Sequence, residues 1–176
     1  MLNHTQRGYL HLYTGNGKGK TTSSVGLTLR AVAAGWRVYY AQFIKNRHSG
    51  EICMLSERFP EVKLALFGGG FFLRRAPEDR DIALAHEGLL ALESAVSSGK
   101  YGMVVADEIL IALKYGLIPE ARVLELADAA QGRVELVLTG RYASSGLMDR
   151  ADLVSEIHPR KHYMEQGVSA RKGVEL

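Results

Sequence analysis

Short runs of apolar and aromatic residues alternate along this chain with longer stretches whose apolar positions recur at helical spacing. Residues 10–13, inside an apolar run that starts at Tyr9, predict a first strand. From Thr22 to about Ala34, the residues Val25, Leu27, Leu29, Ala31, Val32 and Ala33 fit a helix that Gly35 stops. Residues 38–44 are almost continuously apolar or aromatic, the pattern of a parallel strand covered on both faces. Residues 62–67 predict another strand that runs into Gly68-Gly69-Gly70, and residues 80–97 a long helix carrying Ile82, Leu84, Ala85, Leu89, Leu90, Leu92 and Val96. Residues 101–106 read as a buried strand and residues 109–115 as a short helix. Pro119 opens the next helix, through Val123, Leu124, Leu126 and Ala127. Residues 134–138 and 153–157 supply the last two strands, while residues 1–6 carry no pattern. Strands alternating with helices, and glycine or polar residues gathered where strands end, predict one domain over residues 1–176. It is an α/β, three-layer P-loop NTPase-like fold with a mostly parallel central sheet.

Composition narrows the ligand classes. Lys and Arg number 22 against 19 Asp and Glu, a formal charge of +3. That excess suits an anionic small molecule and is too scattered to point to nucleic acid. Cys53 is the single cysteine, so neither a disulfide framework nor a Cys-rich metal site is expected, and a small buried or half-buried thiol is. No apolar leader opens the chain and no apolar run approaches membrane-spanning length, which predicts a soluble cytoplasmic protein.

The chemistry concentrates after the first strand, in Thr14-Gly15-Asn16-Gly17-Lys18-Gly19-Lys20-Thr21-Thr22. Strand, glycine-rich loop and helix in that order suit a phosphate cradle, in which backbone N–H groups turn inward and a helix N-terminus adds favourable charge; a plain glycine-rich hairpin is the alternative. Lys20 reaches phosphate oxygens and the Thr21 hydroxyl is a Mg²⁺ ligand. The usual spacing places a glycine five residues before Gly19; Thr14 stands there, and Gly15 and Gly17 supply the turns. Asp107 and Glu108 close the strand 101–106, where paired carboxylates serve Mg²⁺ directly or through water. Glu108 as a base for phosphoryl transfer, and Asp107 as a plain helix cap, are the alternatives. Arg141, after Thr139-Gly140, is a candidate phosphate clamp or a surface cation.

Three further segments suggest a second substrate. Gln42 and Lys45, with Asn46, Arg47 and His48 beyond them, suit a ligand bearing carboxylates or amides, and equally a solvated loop. After the three glycines, Phe71, Phe72 and Leu73 arrive together, followed by Arg74 and Arg75. They make either a loop burying its own side chains or a hydrophobic cover over a large planar ligand. The tail, with Arg160, Lys161, His162, Tyr163, Arg171 and Lys172, is basic and glycine-punctuated. It wraps back over the nucleotide, joins a subunit contact, or is a plain terminal loop. From the residues alone this is a magnesium nucleotide enzyme with a bulky second substrate.

In this combination the loop, Gln42-Phe43-Ile44-Lys45, Gly70-Phe71, Asp107-Glu108, Thr139-Gly140-Arg141, Lys161-His162 and the stretch 167–173 resemble the P-loop ATP:corrinoid adenosyltransferases, over nearly the whole chain. The resemblance implies transfer of the 5′-deoxyadenosyl group of ATP to the Co(I) centre of a reduced corrinoid, with release of triphosphate. The acceptor would be cobalamin, cobinamide or cobyrinic acid a,c-diamide. It implies that Gly15, Asn16, Gly17, Lys18, Gly19, Lys20, Thr21 and Thr22 hold the triphosphate, helped by Arg141, and that Thr21 and Glu108, with Asp107, serve Mg²⁺. Phe71, with Phe72 and Leu73, would wedge under the corrin ring, Leu73 standing where the family usually has tryptophan. A homodimer is implied too. No flavin or iron–sulfur motif is present, so the electron is expected from an external flavin or flavoprotein reductant. A small P-loop kinase or NTPase, and a non-catalytic corrinoid carrier, are the competing readings.

Overall fold

The computed structural model describes residues 8–45, 50–70 and 75–175. Its strands are β1 (Leu10–Thr14), β2 (Val38–Phe43), β3 (Val62–Phe67), β4 (Met103–Asp107), β5 (Glu135–Thr139) and β6 (Leu153–Glu156). Its helices are α1 (Lys20–Ala33), α2 (Gly50–Arg58), α3 (Asp79–Ser97), α4 (Ile109–Lys114), α5 (Glu120–Ala130) and α6 (Ser145–Arg150), with a 3₁₀ turn at Tyr163–Gln166. The six strands form one sheet in the order β3-β2-β4-β5-β1-β6, and every pairing is parallel. The expected three-layer α/β architecture is present.

Alternation along each strand sorts the side chains into two cores. Leu10, Leu12, Ala41, Phe43, Val104, Ala106, Leu136 and Leu138 pack with α3, α4 and α5. Val38, Tyr40, Met103, Val105 and Val137 pack with Val25 and Ala31 of α1 and Ile52 and Leu55 of α2. The same alternation carries Gln42, Asp107 and Thr139, at the C-terminal ends of β2, β4 and β5, onto the α1 face. All strands being parallel, these ends share one edge of the sheet.

Several boundaries differ from the sequence expectation. Helix α1 begins at Lys20, and its buried residues are Lys20, Ser24, Val25, Thr28 and Ala31, whereas Leu27 and Leu29 are half-buried. Small polar groups let this helix approach the sheet, and their hydroxyls are satisfied: Ser24 Oγ lies 2.8 Å from Tyr40 Oη, and Thr28 Oγ1 donates to the Ser24 carbonyl at 2.9 Å. Helix α2 was not foreseen, since only Ile52 and Leu55 of its residues are buried. Ile44 lies just beyond β2, and β6 ends at Glu156. Cys53 is half-buried, as expected.

Candidate active site

Four strands end in the same way. Gly15, Ile44, Glu108 and Gly140 follow directly on β1, β2, β4 and β5, and their φ angles are 93°, 67°, 63° and 142°. For a residue with a side chain this left-handed region costs on the order of 1–3 kcal/mol, least willingly accepted by β-branched Ile44. The result is that the chain turns sharply and lays its next residues across the sheet edge. After β2 the turn is a three-residue γ-turn, with the Lys45 N–H donating to the Phe43 carbonyl at 2.6 Å. Gly70 N–H reaches the Ile44 carbonyl at 2.9 Å, and a β-carbon on Gly68 would collide with the Ile44 and Lys45 backbone.

The glycine loop between β1 and α1 is held by the end of β6. Gly17 N–H donates to the Ile157 carbonyl at 2.7 Å, Ile157 N–H to the Thr14 carbonyl at 2.9 Å, and a β-carbon on Gly15 would strike that same Ile157 oxygen. Ile157 is therefore a buttress of the loop. The Lys20 side chain, 8 % exposed at the start of α1, donates to the carbonyls of Gly15 and Gly17, both at 2.7 Å. Burial first, then the Arg141 charge, lowers its pKa, against the opposing pull of Glu108 and Asp107. The lysine is thus aimed into the concave side of its own loop.

Asp107, fully buried, is the hub of the edge. Its Oδ1 accepts from Thr139 Oγ1 at 2.7 Å and Thr21 Oγ1 at 3.0 Å, and its Oδ2 from Gln42 Nε2 at 3.0 Å. Its side chain caps no helix; the residue before α4 is Glu108. Thr139 also accepts the Glu108 N–H, at 3.0 Å. The Glu108 carboxyl is raised in pKa by burial and then by the Asp107 charge, with Lys45, Lys20 and Arg141 pulling the other way. Lys45 Nζ lies 3.9 Å from Glu108 Oε1. Arg141 is exposed and near enough to bias both Lys20 and Glu108.

The donors here are hydroxyl, carboxylate and amide oxygens, the set a hard divalent cation takes. Thr21 has its proton on Asp107 and keeps a lone pair for such an ion. Gln42, whose Nε2 reaches the same Asp107, has a buried Oε1 without a hydrogen-bond partner, an unused acceptor. The residues fit Mg²⁺. No three His, Cys, Asp or Glu side chains converge as a metal group among the described residues.

Of the residues that the sequence singles out, the fold gathers Gly15, Gly17, Gly19, Lys20, Thr21, Asp107, Glu108 and Arg141 at one sheet edge. Thr22 and Asn16 stand exposed beside them. Lys18 points elsewhere: its ammonium donates to Glu175 Oε1 at 2.7 Å and Tyr163 Oη at 3.0 Å, tying loop to tail. Asn46, Arg47, His48, Phe71, Phe72, Leu73 and Arg74 lie outside the described residues. Thr139 and Ile157 were missed as supports, and Gln42, read as facing a second substrate, is buried against Asp107 instead.

Comparison with known proteins agrees with this geometry. Residues 6–176 match the family described as ATP:corrinoid adenosyltransferase BtuR/CobO/CobP. A corrinoid adenosyltransferase of Pseudomonas aeruginosa is 38 % identical over 172 residues, covering 97 % of this chain and 85 % of the relative. One from a Sinorhizobium species is 34 % identical, covering 97 % and 81 %, and the corrinoid adenosyltransferase CobA of Salmonella typhimurium is 32 % identical, covering 97 % and 86 %. A glycine loop around a buried lysine, a buried aspartate on its threonine, and matches along nearly the full length all agree: this chain belongs to the ATP:corrinoid adenosyltransferase family.

Proposed function

We propose that this protein transfers the 5′-deoxyadenosyl group of ATP to the Co(I) centre of a reduced corrinoid, releasing triphosphate. The observation that carries the reading is the Lys20 ammonium, buried inside a glycine loop and one residue from the Thr21–Asp107 contact. On binding, phosphate oxygens replace the Gly15 and Gly17 carbonyls as partners of Lys20, and the loop N–H groups take the rest of the chain of phosphates. Mg²⁺, held by Thr21 with Glu108 and with Asp107 behind them, supplies positive charge to the triphosphate.

In the reaction the Co(I) electron pair forms the cobalt–carbon bond while the C5′–oxygen bond breaks, and its electrons leave on the triphosphate. Cobalt ends two electrons more oxidised, and no proton has to be removed from the nucleophile. Glu108 therefore needs no role as a base. The protein's work is to align the two substrates, neutralise the leaving group and exclude water. Phe71, Phe72 and Leu73 are assigned to the corrin face. The acceptor is cobalamin, cobinamide or cobyrinic acid a,c-diamide, and the electron that makes Co(I) comes from an external flavin or flavoprotein. The working form is a cytoplasmic homodimer. No helix among the described residues is long and apolar enough to cross a membrane.

The test is an incubation with ATP, Mg²⁺ and chemically reduced corrinoid. The expected outcome is a light-sensitive alkylcobalt product and one intact triphosphate per adenosyl group. ADP with phosphate, and no alkylcobalt, would instead mark a kinase or NTPase. Turnover beyond one product per site separates the enzyme from a carrier.

A further inference from the structure

Two buried side-chain atoms among the described residues have no hydrogen-bond partner, His11 Nδ1 and Gln42 Oε1. The His11 ring still exchanges a contact with Glu135 at 2.9 Å, on the strand body and away from the loop. Gln42 sits at the site itself, 0 % exposed, next in register to Asp107. A carboxylate only accepts, so the group 3.0 Å from Asp107 Oδ2 has to be the amide nitrogen. That fixes the orientation of the amide, and the Asp107 Oδ2 that takes Nε2 at 3.0 Å also lies 3.3 Å from the Thr21 hydroxyl. A buried carbonyl oxygen with nothing to accept is costly, and native interiors seldom keep one.

We propose that Gln42 is a positioning residue for the divalent cation: Nε2 fixes Asp107, and Oε1 accepts a hydrogen from a water in the cation's coordination shell. The inference rests on the reading above, in which a cation binds at Thr21. Mg²⁺ keeps several of its waters, and each is a strong donor that needs an acceptor. The Asp107 oxygens already take Thr21, Gln42 and Thr139, which leaves them little capacity for a water. An amide supplies the missing acceptor without adding a third negative charge to a pair, Asp107 and Glu108, that already repel. The competing role is a lone structural water under Oε1, with no tie to the ion.

Mn²⁺ titration followed by electron paramagnetic resonance, with ATP present, distinguishes these. Gln42→Leu removes both functions and is expected to weaken Mn²⁺ binding about tenfold, the loss of one hydrogen bond to a charged centre. Its ATP affinity in EDTA should stay near that of the parent. Gln42→Glu keeps an acceptor but loses the Nε2 donor and sets a second carboxylate against Asp107, so it is expected to weaken Mn²⁺ binding as well. A folded Gln42→Leu protein with unchanged Mn²⁺ affinity, whatever its melting temperature, overturns the proposal in favour of a structural water. Should Gln42→Leu not fold, Gln42→Met, which keeps the length of the side chain without either polar group, is read in the same way, and unchanged Mn²⁺ affinity overturns the proposal equally. Failure of the parent protein to bind Mn²⁺ with ATP would sink the cation reading, whereas a defect confined to the variants leaves that reading standing and supports Gln42.

Discussion

Thr139 serves both acidic residues with one hydroxyl, donating to Asp107 at 2.7 Å and accepting the Glu108 N–H at 3.0 Å. Thr139→Val keeps the shape, leaves the Glu108 N–H without this acceptor and takes one of three donors from Asp107, so stability should fall by about 2 kcal/mol, read as a lower urea midpoint at unchanged m-value. Thr139→Ser should recover most of it. Glu108 is expected to behave in the opposite way. Burial and Asp107 lift its folded pKa above the ordinary 4.5, so the native state holds that proton more tightly than the unfolded chain. The stabilising contribution is present below about pH 4.5 and is lost as pH rises through the folded pKa. At pH 8 the carboxylate is a net cost, offset only in part by Lys45 at 3.9 Å. In EDTA, Glu108→Gln should therefore melt above the parent protein at pH 8, with the gap closing as pH drops below 4.5; a lower melting temperature at pH 8 would refute this. Lys20, Thr21, Asp107 and Glu108 were legible from the sequence because their chemistry is written in short local spacing. The contacts by which Gln42, Thr139 and Ile157 support the site were not, because each is made to a partner far along the chain: 65 positions separate Gln42 from Asp107.

Helix α3 reaches the sheet through Gly88. A β-carbon there would sit 2.7 Å from Phe43 Cε1 and 2.8 Å from Phe67 Cγ, rings that are themselves buried. Gly26, in the interior of α1, has nothing within 4 Å of its would-be β-carbon. Alanine gains about 1 kcal/mol over glycine in a helix interior, so the two sites separate propensity from packing. Gly26→Ala should stabilise by up to about 1 kcal/mol, whereas Gly88→Ala should destabilise by about 1–2 kcal/mol once overpacking outweighs that gain. Chemical denaturation of both variants measures the difference, and stabilisation at Gly88 would show that the rings move aside at little cost. Elements with a long amphipathic repeat, such as α3, or an unbroken apolar run, such as β2, were readable in advance. Helix α2, with two buried residues, and the six-residue α6 fell below any periodic signal. The γ-turn at Ile44 was unreadable for a different reason: a β-branched residue is the least expected choice at positive φ, and only the surrounding backbone of Lys45, Gly68 and Gly70 imposes it.

At the scale of the whole molecule, the parallel class of the sheet followed from strands covered on both faces, but strand order depends on contacts between distant segments. The same holds for the tail, which returns from the far end of the chain to the glycine loop. Glu175 accepts from Lys18 at 2.7 Å, from the Tyr163 hydroxyl and from the Arg171 N–H at 2.9 Å, while the Arg171 guanidinium lies 4.9 Å from the Tyr163 ring centroid. Hydrogen bonds from Lys18, Tyr163 and Arg171 hold the Glu175 carboxyl well below its usual range. A depressed carboxylate stabilises above its ordinary pKa of 4.5 and loses that effect as pH falls, so the tie is fully formed at neutral pH. Two of its donors, Lys18 and Arg171, are charged and partly exposed, which makes it sensitive to salt. Trypsin reports on it through the exposed basic residues Arg160, Lys161, Arg171 and Lys172. Glu175→Gln at pH 7 and low salt should speed cleavage in the tail while leaving the global melting temperature nearly unchanged, because the buried cores do not include these residues. Raising salt should speed cleavage of the parent protein toward the rate of the variant and change the variant little. Equal cleavage rates at low salt would mean that the tail is held by its backbone contacts alone, and that Lys18 is free to turn toward the phosphate cradle without first releasing a carboxylate.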